Sequence, residues 1–133
     1  MTNIDEIIRI ASRGDGVTAD GRHVPFAAPG DSLNPGGGLI HGPHHIDPPC
    51  PHFQLCGGCQ LQHLDEAVLK TFVQDRIVHA LSAQDLALPE FMPVHISPPH
   101  SRRRVAVRSA WAGKQFQLGF SSEKSHRIVD LKQ

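Results

Sequence analysis

All three cysteines of this 133-residue chain fall within ten residues, in the stretch CPHFQLCGGCQLQH from Cys50 to His63. The C-x5-C-x2-C spacing is short enough for all three sulfurs to face one point. Three thiolates about one point suggest a metal, and metal sites of this kind usually take four ligands. Gly57 and Gly58 let the backbone turn tightly before Cys59 and bring N–H groups toward sulfur, a contact that stabilises thiolate charge. Two completions compete on the residues alone. In one, His63 closes a Cys3His zinc site, C-x5-C-x2-C-x3-H. In the other, the three thiolates bind three irons of a [4Fe–4S] cluster and a distant cysteine binds the fourth.

The rest of the chain is poor in core material. Aromatics make up 5%, tyrosine is absent, and there are 12 glycines and 11 prolines, which predicts many turns and short elements. The formal net charge is zero, so bulk electrostatics single out no partner. The ten histidines read by default as solvated loop residues. MTNIDEIIRI lacks the basic-then-apolar pattern of a signal peptide, and no apolar run approaches the roughly 18 residues of a membrane span. Clustered cysteines without such a signal speak against a disulfide framework and for a reducing cytoplasm.

Hydrophobic periodicity predicts an α+β chain, mostly β. Residues 6–33 read as short strands, with VTADGRHVPF a hairpin turning at Asp20-Gly21 and APGD a further turn. NPGGGLIHGPHHIDPP, residues 34–49, reads as a linker or irregular loop. LDEAVLKTFVQDRIVHALSAQ is the clearest helix. Its stripes are Leu64, Val68 and Phe72, and Leu69, Val73, Ile77 and Leu81, with Asp65 and Glu66 in the first turn. RRRVAVRSAW reads as a strand with Val105, Val107 and Trp111 on one face and Arg104, Ala106 and Arg108 on the other. QFQLGF returns with Phe116, Leu118 and Phe120 on one face, and HRIVDLKQ begins a third strand. Three strands with one apolar face need a partner surface, so the expectation is a chain cut short.

CPHFQLCGGCQLQHL resembles the cysteine motif of the RNA uracil-5-methyltransferases that carry an iron–sulfur cluster, nearest those making 5-methyluridine in 23S ribosomal RNA. IIRIASRGDGVTADGRHVPFAAPGD is similar to the opening of their TRAM domain, a small OB-like barrel. SRRRVAVRSAW and FQLGFSSEKSHRIVDLKQ are similar to the start of their central β domain. The resemblance implies a [4Fe–4S] cluster on Cys50, Cys56 and Cys59, with a fourth cysteine just beyond Gln133. It implies an N-terminal part of a longer enzyme: residues 1–47 a shortened TRAM-like segment and linker, 48–85 the cluster loop and helix, 86–133 the first strands of a truncated RNA-binding domain. S-adenosylmethionine would be bound by a C-terminal Rossmann-like domain absent here, so no catalytic or S-adenosylmethionine-binding residue is assigned and the chain alone is expected to be inactive. The implied partner is RNA, with 23S rRNA first; the implied state is a cytoplasmic monomer without membrane association. The alternative is a self-contained Cys3His zinc module that binds RNA without catalysis.

Arg102, Arg103, Arg104 and Arg108 form the one basic concentration. They read either as charges guarding a strand edge or as phosphate contacts, for which the guanidinium fork is suited. On a strand, Arg102 and Arg104 would share one face and Arg103 the other. Arg9, Arg13, Arg22 and His23 lie on the barrel-like segment, where Phe26 alone offers a stacking ring. His52 and Phe53 are expected to pack around the cluster, and His63 to be a hydrogen-bonding residue beside it before it is a ligand.

Overall fold

The computed structural model describes residues 5–131. It is mostly β with one helix and divides into two compact units, Met1–Ile46 with His63–Ser97 and Asp47–Gln62 with Pro98–Gln133. The helix thus joins the N-terminal strands and the cysteine loop joins the C-terminal ones, a different partition from the three consecutive segments expected.

In the first unit β1 (Ile7–Ile10), β2 (Gly16–Thr18) and β3 (His23–Val24) form an antiparallel sheet in that order. The Asp20-Gly21 turn forms as expected: Gly21 takes φ +90° and its N–H donates to the Thr18 carbonyl. Gly16 is required for a different reason, since a Cβ there would lie 2.8 Å from Ala27 Cβ and from Ile7 Cγ2. The stretch read as a linker, residues 34–49, instead opens with the loop and second strand of a hairpin, in which β4 (Ser32–Leu33) pairs with β5 (Leu39–Ile40). Asn34 closes its loop, accepting the Gly38 N–H on Oδ1 at 2.8 Å. Composition hid this hairpin because one asparagine side chain supplies the turn's closure. β4 lies beside β1 through the Glu6–Ser32 bridge and the bond from Leu33 N–H to the Asp5 carbonyl.

The helix α1 (Glu66–Ser82) is capped by Asp65, whose carboxylate accepts the Val68 N–H at 2.9 Å. That bond, followed by His44, lowers the Asp65 pKa. Leu64 and Phe72 are buried with Ile7, Val17, Ala27 and Ala28, whereas Val73 and Ile77 on the second stripe are 42% and 49% exposed. One of the two apolar stripes therefore makes the core. No helix among the described residues is long and apolar enough to cross a membrane.

In the second unit β6 (Arg108–Ala112), β7 (Gln115–Ser121) and β8 (Ile128–Asp130) form an antiparallel sheet in order. The first strand is shorter than expected. Residues 101–107 are exposed and outside any strand, so the alternating faces assigned to Arg102, Arg103 and Arg104 do not apply. The cause lies on β7. Past Gly119, the Ser121 carbonyl that a longer β6 would use accepts the Gly57 N–H at 2.9 Å, and Cys56 bridges Ser122. The cysteine loop occupies that edge. The expected apolar face is present but half uncovered: Val129 is buried, while Trp111, Phe116 and Leu118 are 70%, 49% and 46% exposed.

Candidate metal centre and nucleic-acid surface

The loop carrying the cysteines is wound by its own backbone. Phe53 N–H donates to the Cys50 carbonyl and Cys56 N–H to the His52 carbonyl, while Cys50 N–H donates to Gln62 Oε1 at 3.2 Å and closes the base. Its far end is stitched to β7. Besides the Gly57 bond, Glu123 N–H donates to the Leu55 carbonyl at 3.2 Å. The two glycines serve this approach as well as the sulfurs. A Cβ on Gly57 would fall 2.9 Å from the Ser121 oxygen, and one on Gly58 would fall 3.1 Å from the Phe120 ring. Gly58 N–H also donates to Cys56 Sγ at 3.4 Å.

Cys50, Cys56 and Cys59 are free thiols; the first two are half-buried and the third is exposed. Among the described residues no group of three or more His, Cys, Asp or Glu side chains is gathered to hold a metal ion. In type, the donors suit a thiolate-bound cluster, and Cys56 already receives a backbone N–H; in number they are three, one short of the four such a cluster takes. His52 and Phe53 are half-buried on the loop.

His63 does not sit with the cysteines. It belongs to the first unit, is fully buried, and its Nε2 lies 3.3 Å from the Ala27 carbonyl. Its ring meets Phe26 edge-on at 6.3 Å and His45 at 5.5 Å, and His41 stacks on His45 at 3.5 Å. Burial is the leading cause of its lowered pKa, with His45 and His41 adding to it and the Ala27 carbonyl and Asp31 opposing it. A folded-state pKa below the ordinary value of about 6.5 leaves stability flat above that pH and lowers it below, because the unfolded chain then takes a proton that the folded chain refuses. The midpoint of urea unfolding is expected to fall from pH 7 to pH 5, and to fall less steeply in His63→Gln. Equal slopes for the two proteins would remove His63 as a source of the acid sensitivity.

Of the basic candidates, Arg108 stands on β6 with its guanidinium donating to Ser121 Oγ at 2.8 Å. Arg102, Arg103 and Arg104 are exposed and form no ion pair among the described residues. On the first unit Arg22 is held by Asp5 at 2.7 Å and Asp20 at 2.9 Å, which raise its pKa. His23 faces Asp15 at 3.6 Å. Sequence reasoning missed an open groove of about 680 Å3 in this unit, lined by β1 and α1 residues including Ile8, Arg9, Phe72 and Arg76. It also missed Asp31, which lies in a stretch read as a plain turn.

No family model matches the chain. It is 51% identical over 126 residues to an uncharacterised RNA methyltransferase of Zymomonas mobilis, covering 95% of this chain and 32% of that protein. It is 33% identical over 143 residues to another of Rhizobium meliloti, covering 94% of this chain and 34% of that protein. A 23S rRNA (uracil(1939)-C(5))-methyltransferase of Pectobacterium carotovorum is 32% identical over 97 residues, 71% of this chain and 22% of that enzyme. Proteins named as RNA methyltransferases thus align along nearly the whole chain, which spans about a third of the length of the first two.

Proposed function

We propose that this chain is the portion of an S-adenosylmethionine-dependent RNA (uracil-5-)-methyltransferase that carries a [4Fe–4S] cluster and helps grip the RNA, with 23S rRNA the first candidate substrate. Cys50, Cys56 and Cys59 are the cluster ligands in this reading, and a cysteine outside the chain is the fourth. S-adenosylmethionine and the catalytic groups belong to a separate methyltransferase domain, within a monomeric cytoplasmic enzyme. Strands β1 to β5, within residues 1–47, correspond to a shortened TRAM-like segment and linker. Arg102, Arg103, Arg104 and Arg108 contact phosphate. The observation that carries the proposal is the three-cysteine loop itself, pinned to β7 through Gly57 and Cys56 with an N–H already on one sulfur, in a chain whose relatives are named RNA methyltransferases.

Purified without air, the whole protein is expected to be brown and to hold about four irons and four sulfides per chain. Cys56→Ser should lose most of both. Stoichiometric zinc with no sulfide would overturn the cluster and favour a zinc centre.

A further inference from the structure

The zero net charge conceals a division. Over its residues the first unit has five Lys and Arg against ten Asp and Glu, a net −5; the second has eight against three, a net +5. In the first unit Arg22 is held by two carboxylates and Lys70 by Glu66 at 2.6 Å. In the second, Arg102, Arg103 and Arg104 stand exposed just before β6, and Lys114 lies in the β6–β7 turn. A polyanion is therefore attracted to the second unit and repelled by the first.

The same unit presents an unusual surface. Trp111, the chain's single tryptophan, is 70% exposed in the middle of a strand. It pairs across the sheet with Phe116, their ring centroids 5.3 Å apart and tilted by 62°. Leu118, 46% exposed, continues the same face beside Ser109. Beyond it the face passes to Phe120, against which Gly58 of the cysteine loop lies. Large rings left in water on a strand call for a flat apolar partner. The net positive charge of this unit, with Lys114 in the turn next to the pair, selects one that carries negative charge, and unpaired nucleotides offer both a π-face and a phosphate.

We infer that β6 and β7 form a stacking platform for single-stranded RNA, on which Trp111 and Phe116 receive unpaired bases while the Arg102–Arg104 run holds the phosphates. This rests on the RNA-binding reading above and assigns the grip to the unit holding the cysteine loop, not to the barrel-like unit.

The test is titration of the chain with a uridine-rich single-stranded RNA dodecamer, read by anisotropy of labelled RNA and by fluorescence of the single tryptophan. Binding should quench that fluorescence. Trp111→Ala should weaken binding about 10-fold or more, with Trp111→Phe restoring most of it and circular dichroism unchanged in both. Replacing Arg102, Arg103 and Arg104 together by alanine should reduce the salt slope by about 2. Salt-dependent binding with no quenching and no effect of Trp111→Ala would overturn the platform and leave the RNA reading standing. Absence of RNA binding would overturn both. A concentration-dependent dimer abolished by Trp111→Ala, with fluorescence indifferent to RNA, would give the face to a second copy and overturn the platform.

Discussion

Asp31→Ala is expected to lower the unfolding free energy by about 3–5 kcal/mol, a large share of the roughly 5–15 kcal/mol typical of a domain. Asp31 is fully buried, and its carboxylate accepts three bonds at 2.7 Å, from the Ala28 N–H, the Gly42 N–H and His45 Nδ1. Its backbone carbonyl takes a fourth, from the Ile7 N–H at 2.8 Å. One side chain thereby fixes the turn before β4, the strand leaving β5 and the histidine stack. Alanine would strand buried donors, each costing about 1–3 kcal/mol. Asp31→Asn keeps the shape but turns an amide N–H₂ toward one donor, so it should fall between alanine and the native protein. Urea unfolding followed by circular dichroism is the measurement. A loss under about 1 kcal/mol for Asp31→Ala would show that water replaces the carboxylate and that the pin is not structural.

Gly119→Ala should be comparably severe, costing about 3 kcal/mol or more, because the new methyl group meets backbone that cannot step aside. A Cβ there would lie 1.9 Å from the Val129 carbonyl oxygen and 3.1 Å from Leu131 Cγ. The β7–β8 pair must separate to admit it. The amide of Leu131, which donates to the Leu118 carbonyl at 3.0 Å, and that of Ser122, which donates to Arg127 at 2.7 Å, should then lose hydrogen-exchange protection. Since Gly57 and Cys56 hang on the end of β7, the cysteine loop should exchange faster as well. Gly113→Ala is the contrast: nothing lies within 4 Å of its Cβ position and only the φ of +63° resists, a cost of about 1–2 kcal/mol. Equal effects of the two substitutions would show that the Gly119 contact is relieved without opening the sheet.

Much of what depends on neighbours in sequence was legible, though not the Asn34–Gly38 closure. The helix was, because Val68 and Phe72 repeat at the helical period; Leu64 and Asp65, read as part of it, stand just before Glu66, with Asp65 as the cap. The Asp20-Gly21 turn was, because a positive φ is a property of the glycine itself. The tight turn of the cysteine loop was, through Gly57 and Gly58, although among the described residues its three thiols are not gathered as a metal-holding group. Gly57 and Gly58 were only half explained, since they also admit Ser121 and Phe120, more than sixty residues on.

What depended on distant residues was not. The start of β6 at Arg108 is decided some fifty residues earlier in the chain, where Gly57 takes the Ser121 carbonyl; hydrophobic alternation through Val105 and Val107 carries no trace of that competition. Asp31 looked like a turn residue because two of its side-chain partners, Gly42 and His45, are 11 and 14 positions away. His63 stood at ligand spacing from Cys59, yet the chain folds it into the first unit beside Ala27 and leaves the cysteines in the second. The charge division, by contrast, could be read along the chain: residues 1–97 carry five Lys and Arg against eleven Asp and Glu and residues 98–133 eight against two, and residues 47–62 bring only Asp47 across to the second unit. Sequence alone determined the helix and the Asp20-Gly21 turn, since those follow from covalent proximity and backbone preference. Only the tertiary structure decided which strand edge the cysteine loop occupies and which histidine is buried, since those follow from backbone and side-chain groups brought together by folding.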